Sequence, residues 1–113
     1  MYRHGEVWLA NLDPRRGTEP GKVRPVLIVQ TQALLDINHP STIVIPLTTN
    51  CTEEAEPLRI RISTSSGLEQ DSDLLVDQLR AIDNRRLIKG PLATLSPKEQ
   101  SSVDEALRDI LDL

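Results

Sequence analysis

Two stretches of this 113-residue chain carry side chains suited to phosphate chemistry, and each borders an apolar run. In Gly17-Thr18-Glu19-Pro20-Gly21-Lys22-Val23-Arg24-Pro25, Arg24 stands at the mouth of a strand-like segment. Pro25 fixes its own φ and biases Arg24 toward an extended backbone. A guanidinium held that way can offer a phosphate two parallel, charge-assisted hydrogen bonds. The second stretch, Pro46-Leu47-Thr48-Thr49-Asn50, sets a hydroxyl pair where a strand leaves the core. Neither is diagnostic alone. Arg-Pro pairs in loops are usually structural, and Thr-Thr at a strand end is ordinary turn chemistry.

Other chemistries find little support. The two histidines, His4 and His39, each lie beside turn or terminal signals, so a paired-histidine ribonuclease site is disfavoured. No Cys, His, Asp and Glu set has metal-ligand spacing, and Glu53, Glu54 and Glu56 read as a solvated acidic loop. Gly17 and Gly21 lack the Lys-Ser/Thr pair of a nucleotide-binding loop, so no cofactor is expected. With Tyr2 and Trp8 as the only aromatics, a base-stacking platform is excluded, and Trp8 reads as core.

The net charge of −4 argues at first against a nucleic-acid partner. Its distribution is uneven. Residues 1–50 carry five Lys/Arg and four Asp/Glu, a net of +1, which leaves −5 for the rest. Arg15, Arg16, Lys22 and Arg24 cluster around one carboxylate, Glu19. Such a loop can hold a few phosphates of a single strand but cannot coat a duplex. It can equally be plain solvated surface.

The elements that must position these residues are short strands separated by turn chemistry. Strands are predicted over Glu6–Ala10, Val23–Gln30, Thr42–Leu47, Leu58–Ile62, Leu74–Val76, Gln78–Ile82 and Leu92–Leu95, with a helical turn over Thr31–Ile37 and a turn over Ser63–Gly67. Val23–Gln30 and Thr42–Leu47 are apolar enough to be buried on both faces, whereas Leu58–Ile62 alternates and should keep one face wet. A C-terminal helix opens with Ser96 as N-cap, Pro97 at the first position and Glu99 completing a capping box. Val103, Leu107, Ile110 and Leu111 give it one apolar stripe, and its five carboxylates (Glu99, Asp104, Glu105, Asp109, Asp112) make it a structural element and a poor RNA surface. Residues 1–113 therefore form one domain, mainly β (α+β), a small antiparallel barrel with a packed helix. There is no membrane-length apolar run and no signal-peptide pattern, and Cys51 is a lone thiol. The chain reads as cytoplasmic.

Nearly the whole sequence resembles the MazF/PemK family of toxins from toxin–antitoxin modules. Gly5-Glu6-Val7-Trp8 is similar to the family's opening motif. Asp13-Pro14, Gly17-Thr18-Glu19 and Arg24-Pro25-Val26-Leu27-Ile28-Val29 resemble its most diagnostic stretch, and Pro46-Leu47-Thr48-Thr49 matches the segment after the third strand. Asp71-Ser72 and Asp77-Gln78-Leu79-Arg80-Ala81-Ile82-Asp83 resemble its late motif. The resemblance implies an SH3-like barrel of the CcdB/MazF type, a homodimer, and an mRNA interferase that cuts single-stranded RNA at short sequences without metal. It also implies an antitoxin whose disordered C-terminal segment occupies the RNA groove. Carried over, Arg24 and Thr48 fall on the catalytic pair, with Thr18 and Glu19 in a loop beside it. Ser72, Asp77 and Gln78 fall where relatives contact bases. Arg15, Arg16, Lys22, Thr49 and Asn50 complete the expected RNA-binding set. Two departures stand out: Asp77 where Glu also occurs, and Asp73 where an apolar or small residue is usual. Both are expected to make the base-reading wall more acidic.

In that reading, 2′-hydroxyl attack gives a 2′,3′-cyclic phosphate, Arg24 neutralises the phosphoryl oxygens, and Thr48 donates to one of them or positions the 2′-hydroxyl. Glu19 is the candidate base. Two alternatives share the scaffold: a non-enzymatic gyrase poison like the CcdB proteins, and a cleavage-dead module that only binds antitoxin.

Overall fold

The computed structural model describes residues 1–14, 16–19 and 21–113. Seven strands form one antiparallel sheet: β1 (Glu6–Asn11), β2 (Val23–Ile28), β3 (Ser41–Thr48), β4 (Arg59–Ile62), β5 (Ser72–Leu75), β6 (Arg80–Asp83) and β7 (Leu87–Thr94). A short helix α1 (Gln32–Asp36) follows β2, and α2 (Pro97–Leu111) closes the chain. The sheet runs β4-β5-β3-β2-β1-β7, with β6 also paired to β3.

The eight residues of β3 make it the hub. One edge pairs with β2 (Val26 opposite Pro46). The other edge is shared: Ser41 to Val44 face β6, and Leu47 and Thr48 face β5. Successive side chains on β2 and β3 point to opposite faces and both faces are covered, which is why these runs read as continuously apolar. Leu27, Ile45 and Leu47 join Val7, Ile62, Leu74 and Val103 in one core cluster. Val26, Ile28 and Val44 join Ala10, Leu12 and Leu35 in the other. The two-faced burial predicted from sequence therefore holds in the middle of both strands, while Val23, at the start of β2, is 48% exposed.

The strand β4 alternates as expected, with Ile60 and Ile62 buried and Arg61 outward. In α2 the capping box is complete: the Ser96 hydroxyl accepts from the Glu99 N–H at 3.1 Å, and the Glu99 carboxylate accepts from the Ser96 N–H at 3.0 Å. Val103 and Ala106 carry its buried face. Leu111, assigned to that stripe from spacing, is exposed, because the helix runs past the edge of the core.

Three expectations change. The last strand begins at Leu87, five residues before the predicted Leu92, since Gly90-Pro91 reads as a breaker in sequence. Here β7 ends the sheet, and its pairing with β1 shifts register, so the interruption costs little ladder. A Cβ on Gly90 would lie 2.5 Å from a Trp8 ring carbon, so that ring packs directly on the backbone. Second, Val76–Gln78 is a 3-10 turn between β5 and β6 rather than strand. Third, Trp8 is half buried at the margin of the second cluster, edge-on to Tyr2 and donating its indole N–H to Glu6 at 3.0 Å. Among the described residues, no helix is long and apolar enough to cross a membrane.

Replacing Ser96 by Ala removes the cap and is expected to cost about 1 kcal/mol, a fall of roughly 4 °C in the melting temperature by calorimetry. Glu99 adds a pH dependence. Burial opposes its ionisation, but hydrogen bonds from Ser66 (2.5 Å) and Ser96 outweigh that, and its pKa is lowered from 4.5. A lowered folded-state value contributes stability above pH 4.5 that is lost as pH falls through it. Ser66→Ala should therefore narrow the difference between urea midpoints measured at pH 7 and in acid; an unchanged difference would contradict this.

Candidate active site

Arg24 and Thr48 come together because β2 and β3 are neighbours. The β2–β3 ladder ends with Val26 opposite Pro46, and Arg24 and Thr48 lie two residues beyond that pair on their respective strands. The half-buried Arg24 is steered by the backbone: its Nε donates to the Gly21 carbonyl at 3.2 Å and Nη1 to the Leu47 carbonyl at 3.3 Å. The second bond lands on the residue just before Thr48. The Thr48 Oγ1 in turn accepts the Asn50 N–H at 3.1 Å, closing a small hydroxyl turn at the strand end. With that lone pair engaged, the hydroxyl proton is left to donate to a ligand.

Loop geometry brings Thr18 to the same side of the molecule as the turn after β5. Thr18, Asp77 and Gln78 line a cleft of about 330 Å³ with Leu58, Arg59 and Leu75. Glu19 is half buried, its N–H on the Arg16 carbonyl at 2.9 Å. Arg16 and Lys22 are exposed, and the Lys22 N–H is held by the Asp13 carboxylate, which ties the loop's return to its start. Arg15 lies outside the described residues.

A second cleft, about 390 Å³, opens beside Thr49 and is floored by Leu9, Pro25, Leu68 and Leu92, with Ser72 and Lys89 on its walls. Thr49 and Asn50 are exposed. Ser72 is only 4% exposed and donates its hydroxyl to the Gln70 carbonyl at 3.2 Å. The three residues taken from sequence as one base-reading wall thus divide: Asp77 and Gln78 line the first cleft, Ser72 the second. Neither histidine lines either cleft. Among the described residues, no group of three or more His, Cys, Asp and Glu stands close enough to hold a metal.

Asp73 does not add acidity to such a wall. It is buried, and its carboxylate accepts from Arg61 Nε at 2.6 Å and from the Thr52 N–H at 2.8 Å, with Arg59 Nη1 at 3.6 Å. Burial alone would raise its pKa. The Arg61 hydrogen bond, the Thr52 N–H and the two guanidinium charges outweigh it and lower the pKa. The acidic loop is partly recruited too, since Glu53 pairs with Arg61 at 3.2 Å. Arg59, which sequence reasoning passed over as the wet face of an alternating strand, lines the first cleft and donates to the Asn50 carbonyl at 2.9 Å. Its signal was present: two arginines two residues apart on one strand face, and an aspartate immediately before the apolar run Leu74-Leu75-Val76.

The chain as a whole is similar to known proteins. The profile of the family described as PemK-like, MazF-like toxin of type II toxin–antitoxin system matches residues 3–111. Endoribonuclease MazF9 of Mycobacterium tuberculosis is 33% identical, covering 100% of this chain and 98% of the relative. Among solved structures, the Mycobacterium tuberculosis toxin MazF-mt6 superposes with a TM-score of 0.78 at 24% identity, covering 96% of this chain and 97% of the other. The Deinococcus radiodurans MazF gives 0.81 at 22% identity (96% and 94%), and a MazE–MazF complex from the same organism gives 0.75 at 21% (96% and 94%). These structural likenesses establish the fold, a mainly β sheet with a C-terminal helix. With the family profile and an end-to-end relative in agreement, the chain belongs to the PemK-like, MazF-like toxins of type II toxin–antitoxin systems.

Proposed function

We propose that this toxin is an endoribonuclease that cuts single-stranded RNA at short sequences, without metal, by attack of a 2′-hydroxyl on the adjacent phosphorus. The observation that supports the reading is the Arg24 Nη1 bond to the Leu47 carbonyl, which anchors a guanidinium on the residue next to Thr48. The name of the relative MazF9 supports the activity class.

Such a cleavage makes three demands. Charge developing on the phosphoryl oxygens must be neutralised, and a fixed guanidinium in a partly desolvated site does this without reorganising. The reacting atoms must be aligned, and the Thr48 hydroxyl can donate to a phosphoryl oxygen or steady the 2′-hydroxyl. The 2′-proton must leave and the 5′-oxygen must gain one. Arginine, with a pKa above roughly 12, is a poor base at neutral pH, so Glu19 in the adjacent loop is the group assigned to proton removal. The bond formed is 2′-O to phosphorus, the bond broken is phosphorus to 5′-O, and the products are a 2′,3′-cyclic phosphate and a 5′-hydroxyl end.

Arg15, Arg16 and Lys22 supply further phosphate contacts from the loop, while Thr18, Asp77 and Gln78 read bases from the first cleft. Thr49, Asn50 and Ser72 continue the contact surface past Thr48. A MazE-type antitoxin is the expected protein partner, since a structural neighbour from Deinococcus radiodurans is a MazE–MazF complex. The antitoxin's disordered C-terminal segment is assigned to the RNA groove of this protein. A homodimer acting in the cytoplasm completes the proposal.

Incubated with a long single-stranded RNA in EDTA, the purified protein is expected to leave cyclic-phosphate ends. Direct release of a 3′-phosphate would exclude the 2′-hydroxyl route, and intact RNA would favour a non-enzymatic poison. Arg24→Ala should lower kcat by about 10²–10³, with RNA affinity reduced much less. Wild-type turnover in that variant would place the site elsewhere. If the four cations Arg15, Arg16, Lys22 and Arg24 neutralise four phosphates, log Kd for RNA should rise with log salt at a slope of about 3 in fluorescence anisotropy titrations.

A further inference from the structure

Asp73 is, among the described residues, the one buried carboxylate, and it sits on the strand next to Thr48. In the ladder between β3 and β5 it is the Cα partner of Thr48. Its carboxylate gathers the segment that follows Thr48. One oxygen holds the Thr52 N–H at 2.8 Å, and the other holds Arg61 Nε at 2.6 Å. Arg61 returns to the same segment by donating Nη2 to the Thr52 carbonyl at 3.5 Å. Arg59, 3.6 Å from the carboxylate, donates the same Nη1 to the Asn50 carbonyl at 2.9 Å.

The Asn50 residue is the link to chemistry. Its carbonyl is held by Arg59, while its N–H occupies the Thr48 hydroxyl oxygen at 3.1 Å. A threonine hydroxyl has one proton and two lone pairs, and fixing one lone pair fixes where the proton can point. The backbone that supplies this N–H is loop, and the carbonyl of its peptide, that of Thr49, accepts the Cys51 N–H at 3.1 Å. That Cys51 N–H shares a peptide with the Asn50 carbonyl, which the charged clamp holds through Arg59. We propose, on the reading that Thr48 acts in RNA cleavage, that Asp73 is a positioning residue for it: by holding Arg59, Arg61 and Thr52 it fixes the Asn50–Cys51 peptide, whose N–H holds the Thr49 carbonyl, and the Thr49–Asn50 peptide so held fixes the rotamer and donor direction of the Thr48 hydroxyl.

A position one rank behind the chemistry should govern turnover more than binding, because misalignment of about 1 Å can cost up to 10²-fold in rate. The isosteric Asp73→Asn keeps the volume and removes the charge that orders both arginines. Its single-turnover cleavage rate on a short RNA should fall by about ten- to a hundredfold, with KM within about twofold. In a Thr48→Val background the same change should cost less than about twofold, since its route of action is gone. A loss of equal size in both backgrounds, or a loss confined to KM, overturns the proposal.

Side-chain couplings provide an arm that needs no RNA. In the wild-type protein the three-bond couplings of Thr48 should report one χ1 rotamer, and the amides of Asn50 and Thr52 should be rigid by relaxation. Asp73→Asn should average the rotamer and loosen both amides while Ile60 and Leu74 stay protected from exchange. A Thr48 that keeps its single rotamer overturns the proposal. If the wild-type protein cuts no RNA, the nuclease reading fails and the couplings alone decide the positioning. Should Asp73→Asn not fold, Arg61→Gln removes the nearest partner of Asp73 without touching the first cleft. It is expected to show the same averaging to a smaller extent, and an unaltered Thr48 there counts equally against the clamp.

Discussion

The hydrogen bond from Arg24 Nη1 to the Leu47 carbonyl ties the guanidinium at the mouth of β2 to the backbone of β3, and the proposed site depends on it. An arginine side chain carries about 2 kcal/mol of rotamer entropy, so an untethered guanidinium spends most of its time misdirected. Tethering it to backbone is effective only if that backbone does not move. Leu47 is 1% exposed, and β3 is gripped by β2 on one edge and by β5 and β6 on the other. Both faces of the strand are packed, with Ile45 and Leu47 in one core and Val44 in the other. The site inherits its rigidity from two apolar layers that never touch a substrate.

The charge inventory shows why a net of −4 is compatible with a phosphate ligand. Carboxylates are spent internally. Asp73 is enclosed by Arg59 and Arg61, Glu53 sits on Arg61, and Glu99 serves the helix cap and Ser66. Asp83 is paired with Arg85, whose hydrogen bonds hold its pKa down at about 2. The α2 carboxylates Asp104, Glu105 and Asp109 belong to the C-terminal helix, whose buried face joins the core. What counts for an anionic ligand is the local field at the mouth of β2, where cations gather, rather than the average over the chain.

Much of this was legible in sequence where the signal is local. The apolar runs of β2 and β3, the alternation of β4 and the Ser96-Pro97-Glu99 start of α2 each state their structure within a few residues, and each is observed. Arg24 and Thr48 could be singled out for their residue types and for their match to family motifs, but not joined, because their proximity depends on strand register. What failed to show was long-range. Gly90-Pro91 hides the first half of β7, since only the approach of Trp8 explains why a glycine is needed in that strand. Ser72 and Asp73 look like polar surface next to a turn, and only the pairing of β5 with β3 and β4 reveals that both are buried.

Asp73 also poses a question of energetics. Burying a carboxylate incurs desolvation, and buried ion pairs can often be replaced by apolar side chains with no loss of stability. Stability is therefore a weak reason for a charge here. An apolar side chain would fill the same space, yet it could not take hold of the backbone beyond Thr48, which needs directional partners. Asp73 and its arginines supply them: an acceptor for the Thr52 N–H, and donors for the Asn50 and Thr52 carbonyls. Three polar groups of a loop that leaves the ladder are satisfied in this way, just beyond the Thr48 hydroxyl. Directional control of that loop, not cohesion of the core, is what the buried charge contributes.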